Sequence, residues 1–360
     1  MKISIVAFSD LKKCPYINPY VAFCRDNGIE HEVIYFNRSR TQQSADYPTY
    51  EIKWLPGKKK PLNFLHFRRE AIKHLKASRP DFVIVLTTMP AVLLGGYLKR
   101  NFKKKYLIDI RDYTYENIAP YYMLEKSAIA SAAMCVISSP GFTKFLPKAD
   151  YTLCHNASAA YREKNEAVFT PKKDGKITIG YVGSIAYKEN CRKLINLVLA
   201  DERFAFHLYG EETGAPTLTK HVTALASDRI KAFGGYQPCD KVGIMQSVDI
   251  LFNVYGNDRP LVLYALSNKL YDSYYMKLPV LTSANTSMSE ELGDYAFDIN
   301  FDDPEILNKL YDWYYAIDGE SFARQAEDYL SRVFADQDKF YEKLKQTVLG
   351  TVTAAEKTTE

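Results

Sequence analysis

The side chains best placed to do chemistry fall in one stretch, LSNKLYDSYYMKLPVLTS, from Leu266 to Ser283. Ser267 or Asn268 can cap a helix that begins here. The unpaired N–H groups of its first turn, around Asn268, Lys269 and Leu270, then gather partial positive charge. Lys269 adds a full charge beside them, and together they suit an anion with several oxygens, such as a diphosphate. One turn on stands Asp272, whose carboxylate has the lone pairs to accept from two ribose hydroxyls. The same residues also fit a capped surface helix with a solvated Asp272.

An anion site needs partners from other loops, and in open parallel sheets those loops lie beyond the carboxyl ends of the strands. In the second half of the chain they are Gly183-Ser184 after ITIGYV, Tyr209-Gly210-Glu211 after FAFHL, Gly234-Gly235-Tyr236 after KAF, Asn253 to Asn257 after VDILF, and Ser267-Asn268-Lys269. Each alone reads as a turn; their recurrence after successive apolar runs is what points to a ligand. No Asp-x-Asp motif sits in a loop after a strand, since Asp302-Asp303 precedes a helix and reads as its cap. No metal and no cofactor are therefore expected. No Ser-His-Asp ordering argues for hydrolysis. The six cysteines lack CxxC pairing, which sets aside structural zinc and disulfides.

The elements that must hold these loops follow from the apolar pattern. A chain of 360 residues predicts two cores and a cleft between them, and 47% hydrophobic with 25% charged residues is the balance of a folded chain. Apolar, β-branched runs alternate with amphipathic segments: KISIVAF, a helix near Tyr20 to Asn27, HEVIYF, a helix near Phe64 to Ser78, DFVIVL, another helix, KKYLIDI. This alternation predicts a parallel sheet buried on both faces. It restarts after the charged break EKNEAVFTPKKDGK. The pattern thus predicts a first domain over 1–168, a second over 169–335, a C-terminal helix over 336–350, and a frayed tail over 351–360. Phe82 to Leu98 is almost uncharged, yet Pro90 and Gly95-Gly96 interrupt it, so it reads as a strand, a turn and a helix, not a membrane span. MKISIVAFSD reads as the first strand, with no signal peptide.

The Leu266–Ser283 stretch resembles the nucleotide-binding helix of retaining glycosyltransferases of family 4, which have the GT-B fold. Aligning Pro279-Val280-Leu281 on the family's "E-A-M-A-x-G-x-P-V-I" run places Asp272 at its ribose-binding Glu. YVGSIAYKEN resembles the family's "G-R-L" strand and loop, HLYGEET its "G-x-G" loop, and AFGGYQPCDKVGIMQSVDILFNVYGN its "F-x-G" to "A-D-V" region. In the first half, LIDIRDYTYE resembles the "D-x-R-D" strand and loop, and LCHNASAA the "H-N-G" segment. The resemblance implies an α/β fold of two Rossmann-like parallel-sheet domains facing a cleft, with the C-terminal helix over 336–350 packing back on the first. It also implies transfer of a sugar from a nucleotide-diphosphate-sugar with retention of configuration. Lys269, Lys188 and the Gly183-Ser184 backbone would meet the diphosphate, Asp272 the ribose, and Glu211 or Asn257 the sugar, with Tyr209, Gly210, Tyr236, Ser267, Asn268 and Leu270 lining the donor site. Arg111 beside Asp112 stands where many relatives carry a cleft His, which makes both candidate catalytic residues with Lys188 and Lys269; a buried Arg-Asp structural pair competes with that role. The sequence departs from the family at Tyr264, where the first Glu of the Glu-x7-Glu pair belongs, and at Ser184, where an Arg belongs.

The first domain would choose the acceptor, a glycan or lipid-linked glycan of cell-surface polysaccharide biosynthesis. Its clusters Lys58-Lys59-Lys60, Arg68-Arg69, Lys99-Arg100 and Lys103 to Lys105 suit an anionic membrane surface, or are solvated helix faces. A net charge of +4 and the absence of a recognition motif argue against nucleic acid. A cytoplasmic protein, peripheral at most, is expected. Two rival readings keep the same fold: a nucleotide-sugar epimerase or hydrolase, and a catalytically silent binding protein in a polysaccharide assembly complex.

Overall fold

In a computed structural model that describes residues 1–356, the chain forms two units: residues 1–155 with the chain from 335 onward, and residues 156–334. Side chains are described through residue 350.

The first unit holds β1 (Lys2–Ala7), β2 (Glu30–Asn37), β3 (Thr49–Lys53), β4 (Phe82–Leu86), β5 (Tyr106–Ile110), β6 (Met134–Ile137) and β7 (Tyr151–Leu153). They run parallel in the order β3-β2-β1-β4-β5-β6-β7. Strands β4 and β5 are buried at every position, as apolar runs covered on both faces must be. The second unit holds β8 (Ile177–Val182), β9 (Phe204–Tyr209), β10 (Ile230–Gly234), β11 (Ile250–Phe252), β12 (Val280–Thr282) and β13 (Ala296–Asp298), parallel in the order β10-β9-β8-β11-β12-β13. In β8, Gly180 is required by packing, because a Cβ there would lie 2.5 Å from Val248 Cγ1. In each sheet the order reverses beside the first strand, the place where open α/β sheets bind ligands.

Phe82–Leu86 is strand β4 and Thr88–Asn101 a helix, and among the described residues no helix is long and apolar enough to cross a membrane. The unit boundary falls at 155/156 and not at 168/169, for a packing reason. Tyr161 and Phe169 join the second core, the Tyr161 ring stacks on Tyr275 at 4.2 Å, and Asn165 donates to the Tyr275 carbonyl. The last helix, Gly319–Glu356, begins in the second unit and ends in the first. Phe322, Ala326 and Val333 fill the second core, while Phe340, Leu344 and Val348 fill the first. The helix continues through Glu356 into the tail expected to fray over 351–360; residues 357–360 lie outside those described.

Candidate functional site

Three loops of the second unit meet at the carboxyl ends of β8, β9 and β10. The Gly183 amide donates to the Tyr209 carbonyl at 2.9 Å, and the Gly210 amide to the Gly234 carbonyl at 2.7 Å. Gly210 has φ +138°, and a Cβ on it would stand 1.9 Å from the Gly183 carbonyl oxygen. Only a glycine lets these two turns approach so closely. Gly183 has φ +126°, and its missing Cβ would lie 3.8 Å from Lys269 Nζ. The bare backbone after β8 therefore faces a lysine in the first turn of a helix that follows β11.

That helix is Asn268–Met276, and Ser267 caps it: its hydroxyl accepts from the Lys269 amide at 3.3 Å and donates to Asn253 Oδ1 at 2.8 Å. Asn268 is exposed, Leu270 is in the core, and Lys269 is buried at 6% exposure. The Lys269 ammonium donates to the Tyr255 hydroxyl at 2.6 Å and lies 4.7 Å from the Tyr181 ring centre and 5.2 Å from that of Tyr255. Tyr187 stacks behind Tyr255 at 3.9 Å. Among the described residues no carboxylate ion-pairs with Lys269. Burial pulls its pKa below the usual lysine value, with the neighbouring Tyr181 and Asp272 opposing that pull.

Asp272 is buried one turn along, and both its donors go to one oxygen: Tyr161 Oη at 2.6 Å and Lys241 Nζ at 2.7 Å reach Oδ1. Burial, and then the Asp272 charge, push the Tyr236 hydroxyl upward, which sets Tyr236 in the field of that carboxylate. Tyr209 stacks on Phe233 at 4.5 Å, and a Cβ on Gly235 would come 3.2 Å from Glu211 Cγ. Asn257 spends its amide on the Ala284 carbonyl at 3.0 Å, and Ser184 pairs its hydroxyl with Thr213 at 3.0 Å.

Lys188 has partners different from those of Lys269. It pairs with Glu212 at 2.6 Å and donates to the Ala215 carbonyl at 2.6 Å. Desolvation works against the charged Glu212, but the Leu218 amide, Lys188 and the Thr219 amide and hydroxyl outweigh it and hold the carboxyl at about 2. Lys188 is thereby committed to a buried carboxylate that caps the Thr217–Leu225 helix. Arg111 lies in the first unit and pairs with Asp109, not with Asp112, which is exposed. Its Nε and Nη2 grip the two Asp109 oxygens at 2.6 and 2.8 Å, Nη1 donates to the Cys154 carbonyl, and Tyr20 donates to Asp109. Spacing alone could not reveal this, because Asp109 is a strand residue whose side chain turns toward Arg111 only in the fold.

Sequence reasoning missed Tyr161, Lys241 and Glu212. Tyr161 and Lys241 are 111 and 31 residues from Asp272, so no local pattern connects them. Tyr181 offered a signal, as the aromatic residue in the otherwise small and aliphatic ITIGYV run.

Two parallel sheets of this kind, each in its own Rossmann-like unit, are the GT-B fold. Three solved structures share it over nearly their whole length. The lipopolysaccharide outer core galactosyltransferase WaaB, in its apo form, aligns with 97% of this chain and 99% of its own at 14% identity and a TM-score of 0.65. Sucrose-phosphate synthase of Thermosynechococcus elongatus aligns over 97% and 100% at 12% identity and 0.70. HepE of Anabaena, solved with UDP and glucose, aligns over 95% and 99% at 13% identity and 0.67. At such identities the likeness establishes the fold. No family model matches the chain, and no curated protein matches it in sequence.

Proposed function

We propose that this chain is a glycosyltransferase that binds a nucleotide-diphosphate-sugar in its second unit and passes the sugar to a hydroxyl of a glycan or lipid-linked glycan. One observation carries the reading: a buried ammonium, Lys269, faces the bare Gly183 backbone with no carboxylate in ion-pair contact among the described residues. A buried charge without a counter-ion is costly, and an anionic ligand supplies one. The amide-rich start of the Asn268–Met276 helix adds to the attraction. Neighbours of the same fold support it: HepE was solved with UDP and glucose, and WaaB is a galactosyltransferase.

In this reading Lys269 and the Gly183-Ser184 backbone stabilise charge on the departing diphosphate, where preorganised donors do most for catalysis. Asp272 Oδ2, which takes no donor among the described residues, accepts from the ribose. The family resemblance adds retention of configuration, the leaving phosphate taking the acceptor's proton, and a place in cell-surface polysaccharide biosynthesis on the cytoplasmic side. Lys188 is reassigned from the diphosphate to structure, since Glu212 already neutralises it. Arg111 acts through Asp109 to fix the segment after β5, and it is not a proton carrier.

A thermal-shift panel of UDP-, GDP-, dTDP- and ADP-sugars tests this, because a ligand that binds only the native state raises the melting temperature. One nucleotide should stabilise the protein, and Asp272→Ala should abolish the gain. No shift with any nucleotide would remove the reading.

A further inference from the structure

The first unit carries its longest run of cations over residues 58–79. Between residues 58 and 79 there are eight Lys and Arg side chains against one carboxylate, Glu70, a net charge of +7. The whole chain carries +4, so the remaining residues sum to −3. All eight cations are exposed, and among the described residues only Arg69 has an ion-pair partner, Glu70. A solvated helix face normally intersperses both signs, which this one does not.

Two leucines lie in the same patch. In the Lys60–Ser78 helix, Leu62 is 51% and Leu65 58% exposed, and their spacing of three puts them on one face. The lysine triplet is held beside them by a built loop. Asn63 is fully buried, accepts from the Leu55 amide at 2.7 Å and donates to the Leu55 and Lys58 carbonyls at 3.2 and 3.1 Å. The Lys60–Ser78 helix packs beside Thr88–Asn101, and that helix beside Ala119–Ser131, which exposes Met123 and Leu124 at 62% and 57%. One helical layer thus presents large apolar side chains at both margins with a cationic loop at one end.

We infer that this layer docks on an anionic lipid bilayer, with Leu62 and Leu65 entering the acyl boundary and Lys58-Lys59-Lys60 meeting the headgroups. Apolar side chains on one face, ringed by cations, are what an interfacial helix requires. A second copy of the chain fits poorly, because a two-fold contact would oppose two patches of +7. Nucleic acid would use the cations and leave the exposed leucines without a role.

The test is co-sedimentation of the full chain with phosphatidylcholine vesicles, with and without phosphatidylglycerol. The protein should pellet only with the anionic vesicles and return to solution at high salt. Replacing the triplet by K58E, K59E and K60E together should weaken partitioning by roughly a hundredfold or more, from about fivefold per surface cation. Leu62→Ser with Leu65→Ser should weaken it at low salt as well. Both variants should keep the nucleotide-induced thermal shift, which certifies folding and separates this inference from the donor-site reading. Wild-type protein left in the supernatant with anionic vesicles overturns the inference. So does equal pelleting of the charge-reversed variant, or binding to nucleic acid without binding to vesicles.

Discussion

Lys269 and Glu125 are both buried titratable groups with no ion-pair partner among the described residues, and they differ in what surrounds them. Lys269 faces a glycine backbone and a helix start, so its missing partner is a ligand. Replacing it with methionine removes a desolvated charge while keeping the stem, so the apo protein should melt no earlier than wild type. Nucleotide affinity should nevertheless fall by 30-fold or more, about 2 kcal/mol, as expected for deleting one member of a buried charge pair. Glu125 is 1% exposed in the first unit, and neither carboxyl oxygen has a hydrogen-bond partner among the described residues. Burial, and then the nearby Glu116 charge, raise its pKa to about 8. A folded-state pKa raised above the unfolded value means that the favourable contribution is complete below about 4.5 and is lost as pH rises through about 8. Denaturation between these limits should show stability falling with pH, and Glu125→Gln should flatten that slope and stabilise the protein at pH near 7. An unchanged slope in the variant would place the titration elsewhere.

At the scale of elements, the site depends on turns that have room for no side chain. Gly210→Ala would drive a Cβ into the Gly183 carbonyl and hold a left-handed φ that alanine resists. The substitution should cost about 1–3 kcal/mol of stability and displace the loop that faces Lys269. Chemical denaturation should show the first effect and nucleotide titration the second. The apolar runs KISIVAF, DFVIVL, ITIGYV and VDILF were legible as buried strands because parallel strands are apolar on both faces. Strands β3, β7 and β13 were not, since TYEIK, YTL and AFD are short sheet-edge segments with exposed or half-buried positions and no apolar run. The helix that begins at Asn268 and its cap were readable from local chemistry. The Tyr161 and Lys241 grip on Asp272 and the Glu212 capture of Lys188 were not, because each joins residues distant in sequence, and the pairing of Arg111 with Asp109 was not, because it depends on which way a strand-end side chain turns.

At the scale of the whole molecule, two cores joined by a segment after His155 and by a helix shared at its C-terminal end should unfold as separable units. Saturating nucleotide stabilises only the unit that binds it, so calorimetric scanning should show the 156–334 transition moving upward. Charge is divided in the same way: a run of +7 lies over residues 58–79 of the first unit, and the buried Lys269 ammonium, with no ion-paired carboxylate among the described residues, lies in the second. The most direct test of the donor socket is a calorimetric titration of wild-type and Lys269→Met protein with the nucleoside diphosphate that the thermal panel selects. Saturable binding by the wild type and a loss of at least about 30-fold in the variant is the predicted result. Equal affinity in the two proteins would contradict the account.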